Sequence, residues 1–233
     1  MSGDDLAGRL SELATLAEPV RLRLYQHVMA QAAAVSRDLA AEAVGVPRHT
    51  AKFHLDRLAD EGLLDVEFRR LTGREGPGAG RPAKLYRRSE HEVDVSLPPR
   101  QYNLAGHLMA AAIEESGRDR TPITQSLHRT ASRWGSTLAQ QIRESAGPRP
   151  SREQVLATVC ATLGSWGYLP DREGSTVILR NCPFHALAKQ HTDLVCGMNL
   201  AAIEAIIEEL PPARLAARLS PSSGRCCVTI SES

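Results

Sequence analysis

The residues of this 233-residue chain that could do chemistry fall into two groups, one of thiols and one of cations. Four of its five cysteines, Cys182, Cys196, Cys226 and Cys227, lie in the last fifty-two residues with the spacing C-x13-C-x29-C-C. No C-x-x-C knuckle is present, which excludes a zinc ribbon and a ferredoxin-type run. Thiols so far apart in sequence can share a metal centre only if the fold gathers them. The fifth, Cys160, sits within Val155-Leu156-Ala157-Thr158-Val159 and reads as a small buried hydrophobe.

The second group begins at Arg48, His49, Thr50 and Lys52, with His54 and Arg57 one or two helical turns on. It continues over residues 69–88, where Arg69, Arg70, Arg74, Arg81, Lys84, Arg87 and Arg88 stand against the single acid Glu75, a formal net of +6. Helix-borne polar side chains followed by a basic strand pair are suited to a DNA groove and its phosphates.

The elements that must position the cations are legible in outline. Leu13, Leu16, Val20, Leu24 and Val28 predict one helix over residues 11–31. Ser36 caps a short helix over residues 37–43, and Gly45-Val46-Pro47 makes a turn in which Gly45 permits positive φ and Pro47 suits a helix start. A second helix over residues 48–60 carries Phe53, Leu55 and Leu58 and stops at Gly62. Short helix, tight turn and second helix form a helix-turn-helix, whose second helix enters the major groove. Leu63–Phe68 and Lys84–Tyr86 then pair as strands, so Arg69, Arg70, Arg81 and Lys84 join Arg48, His49, Thr50, Lys52, His54 and Arg57 as predicted DNA contacts on a winged helix-turn-helix.

The thiols need a different scaffold. Pro183 places Cys182 at a helix start. An unbroken helix from there to Cys196 would hold the two sulfurs roughly 20 Å apart at ~1.5 Å per residue. His191-Thr192-Asp193 supplies a fresh N-cap, so a break at Thr192 puts Cys196 in the first turn of a second helix. Both thiols then lie near helix N-termini, where free N–H groups favour thiolate and an anionic centre such as an iron–sulfur cluster. Cys226 and Cys227 open a strand ending at Ile230. Alternation points the two sulfurs to opposite faces, and Cys226 shares the parity of the inward Val228 and Ile230. Cys182, Cys196 and Cys226 are thus the predicted ligands, and the fourth is open between His185, Cys227, His191 and a residue of another subunit.

The remaining pattern sets the organisation. Residues 1–97 form the winged helix-turn-helix domain, and Ser96-Leu97-Pro98-Pro99 breaks it off. Residues 98–150 form a helical dimerisation and linker region, with Leu104, Leu108, Ile113, Ile123, Leu127, Trp134, Leu138 and Ile142 at helical spacing. Residues 151–233 form an α+β metal-binding domain, in which Ser151 and Gln154 make a capping box and Thr176–Leu179 reads as a strand. The fold class is mainly α with small β. Apolar residues are 42% of the chain, charged residues 24%, and the net charge of +1 shows that any nucleic-acid footprint is local. No apolar run reaches the ~18 residues of a spanning helix, and the acidic N-terminus carries no secretory signal. A cytoplasmic protein without membrane contact is expected, and its cysteines are then not structural disulfides.

Two stretches resemble a known family. "EPVRLRLYQHV", "DLAAEAVGVPRHTAKFHLDRLADEGLL" and "GRPAKLYR" resemble the ArsR-like winged-helix repressors. "NCPFHALAKQHTDLVCGMNL" and the terminal "GRCCV" resemble the SufR-type regulators of iron–sulfur cluster assembly genes. The resemblance implies a homodimeric transcriptional repressor on a double-stranded operator, controlled by a [4Fe–4S] or [2Fe–2S] cluster on the C-terminal cysteines. It departs from the family in having no cysteine before Cys160 and none between Cys196 and Cys226. Two readings compete: zinc in the same Cys/His site, and a thiol redox enzyme using Cys226 and Cys227. No nucleophile–base pair or Gly-rich nucleotide loop supports catalysis, so a non-enzymatic regulator is expected.

Overall fold

A computed structural model of the chain describes residues 3–70, 82–147, 149–210 and 215–232. The chain divides into two compact units, Ser2–Val95 and Ser96–Ser233.

In the first unit the single helix expected over residues 11–31 is two, α1 (Gly3–Leu16) and α2 (Pro19–Met29). The break follows from Pro19, whose missing N–H suits the first helical position, and from Glu18, whose carboxylate caps α2 by accepting from the amides of Val20 (3.1 Å) and Arg21 (2.6 Å). After β1 (Val35–Ser36) comes α3 (Arg37–Val44), capped by the Ser36 hydroxyl on the Leu39 amide and closed by Gly45 at φ 71°. Pro47 leads into α4 (Arg48–Asp60). The strands β2 (Leu64–Arg69) and β3 (Ala83–Arg88) pair antiparallel with Val66 opposite Tyr86, and β1 adds to the far edge of β3. Leu24 and Val28 of α2, Ala40 of α3, and Ala51, Leu55 and Leu58 of α4 form the core with Leu64 and Tyr86.

Residues 96–233 build around two closely packed helices. α5 (Tyr102–Asp119) turns at Arg120, which takes φ 55°, into α6 (Ile123–Ala146), and the buried Glu115 carboxylate ties the pair by accepting from Arg129 (3.0 Å) and Arg133. α7 (Arg152–Ser165) starts with the expected Ser151–Gln154 capping box. β4 (Pro170–Glu173), β5 (Thr176–Leu179), β6 (Leu215–Leu219) and β7 (Val228–Glu232) form an antiparallel sheet in the order β4-β5-β7-β6. Between β5 and β6 run α8 (His185–Gln190) and α9 (Thr192–Glu208). Residues 98–150 and 151–233 share one core: Leu127, Ala131, Leu138 and Ile142 of α6 lie in the same apolar cluster as Val195, Met198, Ala202 and Ile206 of α9. Gly135 permits this approach, because a Cβ there would stand 2.2 Å from the Ala202 carbonyl oxygen. Among the described residues no helix is long and apolar enough to cross a membrane.

Candidate functional sites

On α4 the 3.6-residue period turns Ala51, His54, Leu55 and Leu58 to the core and leaves Arg48, His49, Lys52, Phe53 and Arg57 exposed, with Thr50 partly covered. One predicted placement is therefore corrected. His54, expected at a base edge, is 9% exposed, while the neighbouring Phe53 is 64% exposed. The His54 Nδ1 accepts from the Arg21 side chain at 3.3 Å and its Nε2 stands 3.5 Å from the Glu18 carboxylate, so the ring braces the start of α2.

The cations that follow are less free than their count in sequence implies. Lys84 and Lys52 flank Asp56 at 2.5 and 3.7 Å, and the Tyr86 hydroxyl donates to the same carboxylate at 2.7 Å. Burial alone would raise the Asp56 pKa, but the hydrogen bonds from Lys84 and Tyr86 hold it below the ordinary aspartate range. Arg48 pairs with Asp38, Arg57 with Glu61 (2.5 Å), Arg69 with Glu67 (3.6 Å) and Arg87 with Asp65 (2.9 Å). Arg70 and Arg88 are exposed and carry no ion pair to a described residue. Arg74, Glu75 and Arg81 lie outside the described residues. The arginine pairs, exposed on at least one side, are worth little, so Arg48, Arg57, Arg69 and Arg87 can trade their carboxylates for phosphates.

In the second unit the fold gathers all four late cysteines. Cys182 follows β5 in the turn before α8, Cys196 sits on α9, and Cys226 and Cys227 precede β7 rather than opening it. Strand alternation therefore does not apply to the pair, and both sulfurs join the group. The side chains neighbour and electrostatically couple to one another in the order Cys182, Cys226, Cys227, Cys196. The break between α8 and α9 falls at His191, but Cys196 is the fifth residue of α9 and lies past its first turn. Helix-start stabilisation accordingly fails there. Burial, with the hydrogen bond to Cys227, pushes the Cys196 thiol up to about 12. Cys226 is raised too, by its bonds to Cys182 and Cys227 and by burial. Their acceptors move the other way. The hydrogen bond from Cys226 lowers Cys182 against its burial, helped by the Phe184 amide. Cys227 falls to about 6 through the bond from Cys226, against burial, with a further bond from Cys196. The direction of the shift thus alternates along the row. Among the described residues no three His, Cys, Asp or Glu side chains are arranged around a single ion.

A cavity of about 240 Å³ opens onto this row, lined by Cys182, Cys196 and Cys227 with His185, Lys189 and Arg225. His185 and His191 are both exposed. The Arg225 guanidinium gives one hydrogen bond to the Ser220 hydroxyl (3.0 Å), while its Nη1 is buried without a partner among the described residues. Behind the row, Asn199 of α9 accepts from the buried Tyr168 hydroxyl at 2.6 Å and donates to the Cys226 sulfur at 3.2 Å. Sequence reasoning missed Asn199, Tyr168 and Arg225. The available signal was Asn199 itself, an amide inside the apolar run from Leu194 to Ile207, where burial demands partners. Cys160, half-buried on α7, stands outside the row.

Residues 16–67 match the family model of a helix-turn-helix domain, the span from the end of α1 to within β2. The comparisons with curated proteins and with solved structures returned no match. The first unit is thus a helix-turn-helix domain of the kind found in DNA-binding transcription regulators, with the β2–β3 hairpin following its second helix.

Proposed function

We propose that the protein is a homodimeric, operator-binding transcriptional repressor of the SufR type, controlled by an iron–sulfur cluster held by Cys182, Cys196, Cys226 and Cys227, and acting on cluster-assembly genes. The observation that carries the metal half is the gathering of Cys182, Cys196 and Cys227 from three chain segments around one cavity, with Cys226 adjoining Cys227. Cys227, linked to both Cys226 and Cys196, is preferred to the exposed His185 as fourth ligand.

The surroundings fit such a group. An anionic all-thiolate centre asks for N–H donors and positive charge, and here the unpartnered Arg225 Nη1, Lys189 and the Asn199 amide supply them. When bound, the cluster supplies a charge and redox state that respond to iron and oxidants. The chain's own part is to supply its cysteines as thiolates, so that loading releases the protons their thiols carry. Across the dimer, loading favours the spacing of two α4 helices that matches inverted half-sites about one helical turn apart, and loss of the group releases the operator.

Purification without oxygen followed by a visible spectrum tests this reading. Broad absorption near 400 nm that disappears in Cys182→Ser, Cys196→Ser, Cys226→Ser and Cys227→Ser proteins is expected. A colourless protein carrying stoichiometric zinc overturns it and leaves the zinc alternative.

A further inference from the structure

Asn199 is buried to 1% on α9 and has both ends of its amide occupied. The Tyr168 hydroxyl, itself buried, gives its hydrogen to Oδ1 at 2.6 Å, and Nδ2 stands 3.2 Å from the Cys226 sulfur. A cysteine that ligates metal is a thiolate with no hydrogen to give, so only the N–H end of the amide suits it. The tyrosine hydroxyl holds the amide in that orientation from the opposite side. An amide so placed is costly to bury unless its bonds are made, and both of these are.

We propose that Asn199 is the positioning residue for Cys226: its side-chain amide donates an N–H···S hydrogen bond to that ligand and sets the potential at which the bound cluster is reduced, with Tyr168 fixing the amide. The inference rests on the cluster reading above. A donor to a ligating sulfur withdraws electron density and favours the state with one more electron, so removing it favours the oxidised state.

The test is a redox titration of the full chain with dithionite, following the visible absorption of wild type, Asn199→Leu and Tyr168→Phe. Asn199→Leu is expected to shift the oxidised-to-reduced ratio at fixed potential roughly tenfold towards oxidised, which is 59 mV for one electron. Tyr168→Phe keeps the amide but frees it to turn, and a shift of about threefold in the same direction is expected. Should Asn199→Leu fail to retain the cluster, Tyr168→Phe decides alone. Unchanged midpoints in the cluster-loaded variants overturn the proposal while leaving the cluster reading intact. A wild-type protein that binds no cluster overturns that reading instead.

Discussion

The two candidate sites are assembled in opposite ways. The candidate DNA-facing surface comes from one contiguous stretch, α4 and the β2–β3 hairpin that follows it, and its side chains are mostly exposed and loosely paired with neighbouring carboxylates. The thiol row is drawn from three separate stretches, is largely buried, and exists only because α9, β5 and the approach to β7 meet in one core. Breaking the first site removes contacts, whereas breaking the core beneath the second removes the site itself.

The sharpest way to test this contrast is to damage each core in turn. Leu55 is fully buried beneath α4, and Leu55→Ala should cost the first unit about 3 kcal/mol, on the order of 15 °C in the Tm of a unit that size. Gly135→Ala forces a methyl against the Ala202 carbonyl and should cost the second unit about 2 kcal/mol. Calorimetry should show two transitions, each variant lowering one of them. On the proposed reading, Leu55→Ala should weaken DNA binding and spare the cluster's absorption near 400 nm, and Gly135→Ala should reduce that absorption. If both variants lower both transitions together, the two cores are not independent.

The same contrast decides what the sequence disclosed. The helix-turn-helix is written in local signals: Ser36, Gly45 and Pro47 act within a few residues, and the limits of α4 follow from them. The burial of His54 shows where local signals stop, since polarity alone does not say which histidine braces a neighbouring helix. In the second unit β5 was legible from its β-branched run, but β6 was not, because Leu215-Ala216-Ala217-Arg218-Leu219 is made of helix formers and pairs with β7 only through tertiary contact. β4, a polar edge strand beginning with Pro170, left no apolar pattern at all. The cysteine row was visible as spacing and not as geometry. Its closing member, Cys227, was misplaced by treating residues 226 and 227 as strand.

Asp56 gives a finer test, because it joins α4 to the hairpin through Lys84 and Tyr86. Its folded pKa is depressed, so its stabilisation is fully present above the unfolded aspartate value of about 3.9 and is lost as pH falls through the folded value. Asp56→Asn should therefore cost the first unit about 1 kcal/mol at pH 7. The gap from wild type should close on acidification below about pH 4, as read by chemical denaturation across pH. A gap that persists at low pH would assign the loss to packing of the side chain and not to its charge.

The smallest effect expected separates a free cation from a paired one. Arg70 is exposed with no ion pair to a described residue, whereas Lys84 already shares Asp56 with Lys52 and the Tyr86 hydroxyl. Each phosphate neutralised by the protein contributes roughly 0.9 to the slope of log affinity against log salt. If Arg70 makes such a contact, Arg70→Ala should flatten that slope by about one. Lys84→Ala should change it by much less, because Lys84 must leave a carboxylate to reach a phosphate and what it gains is offset by what it gives up. Binding to a DNA duplex carrying the operator, titrated between low and moderate salt, reads both slopes. Equal changes for the two variants would mean that the Asp56 pairing dissolves on DNA, and the hairpin would then present the charge that its sequence counts.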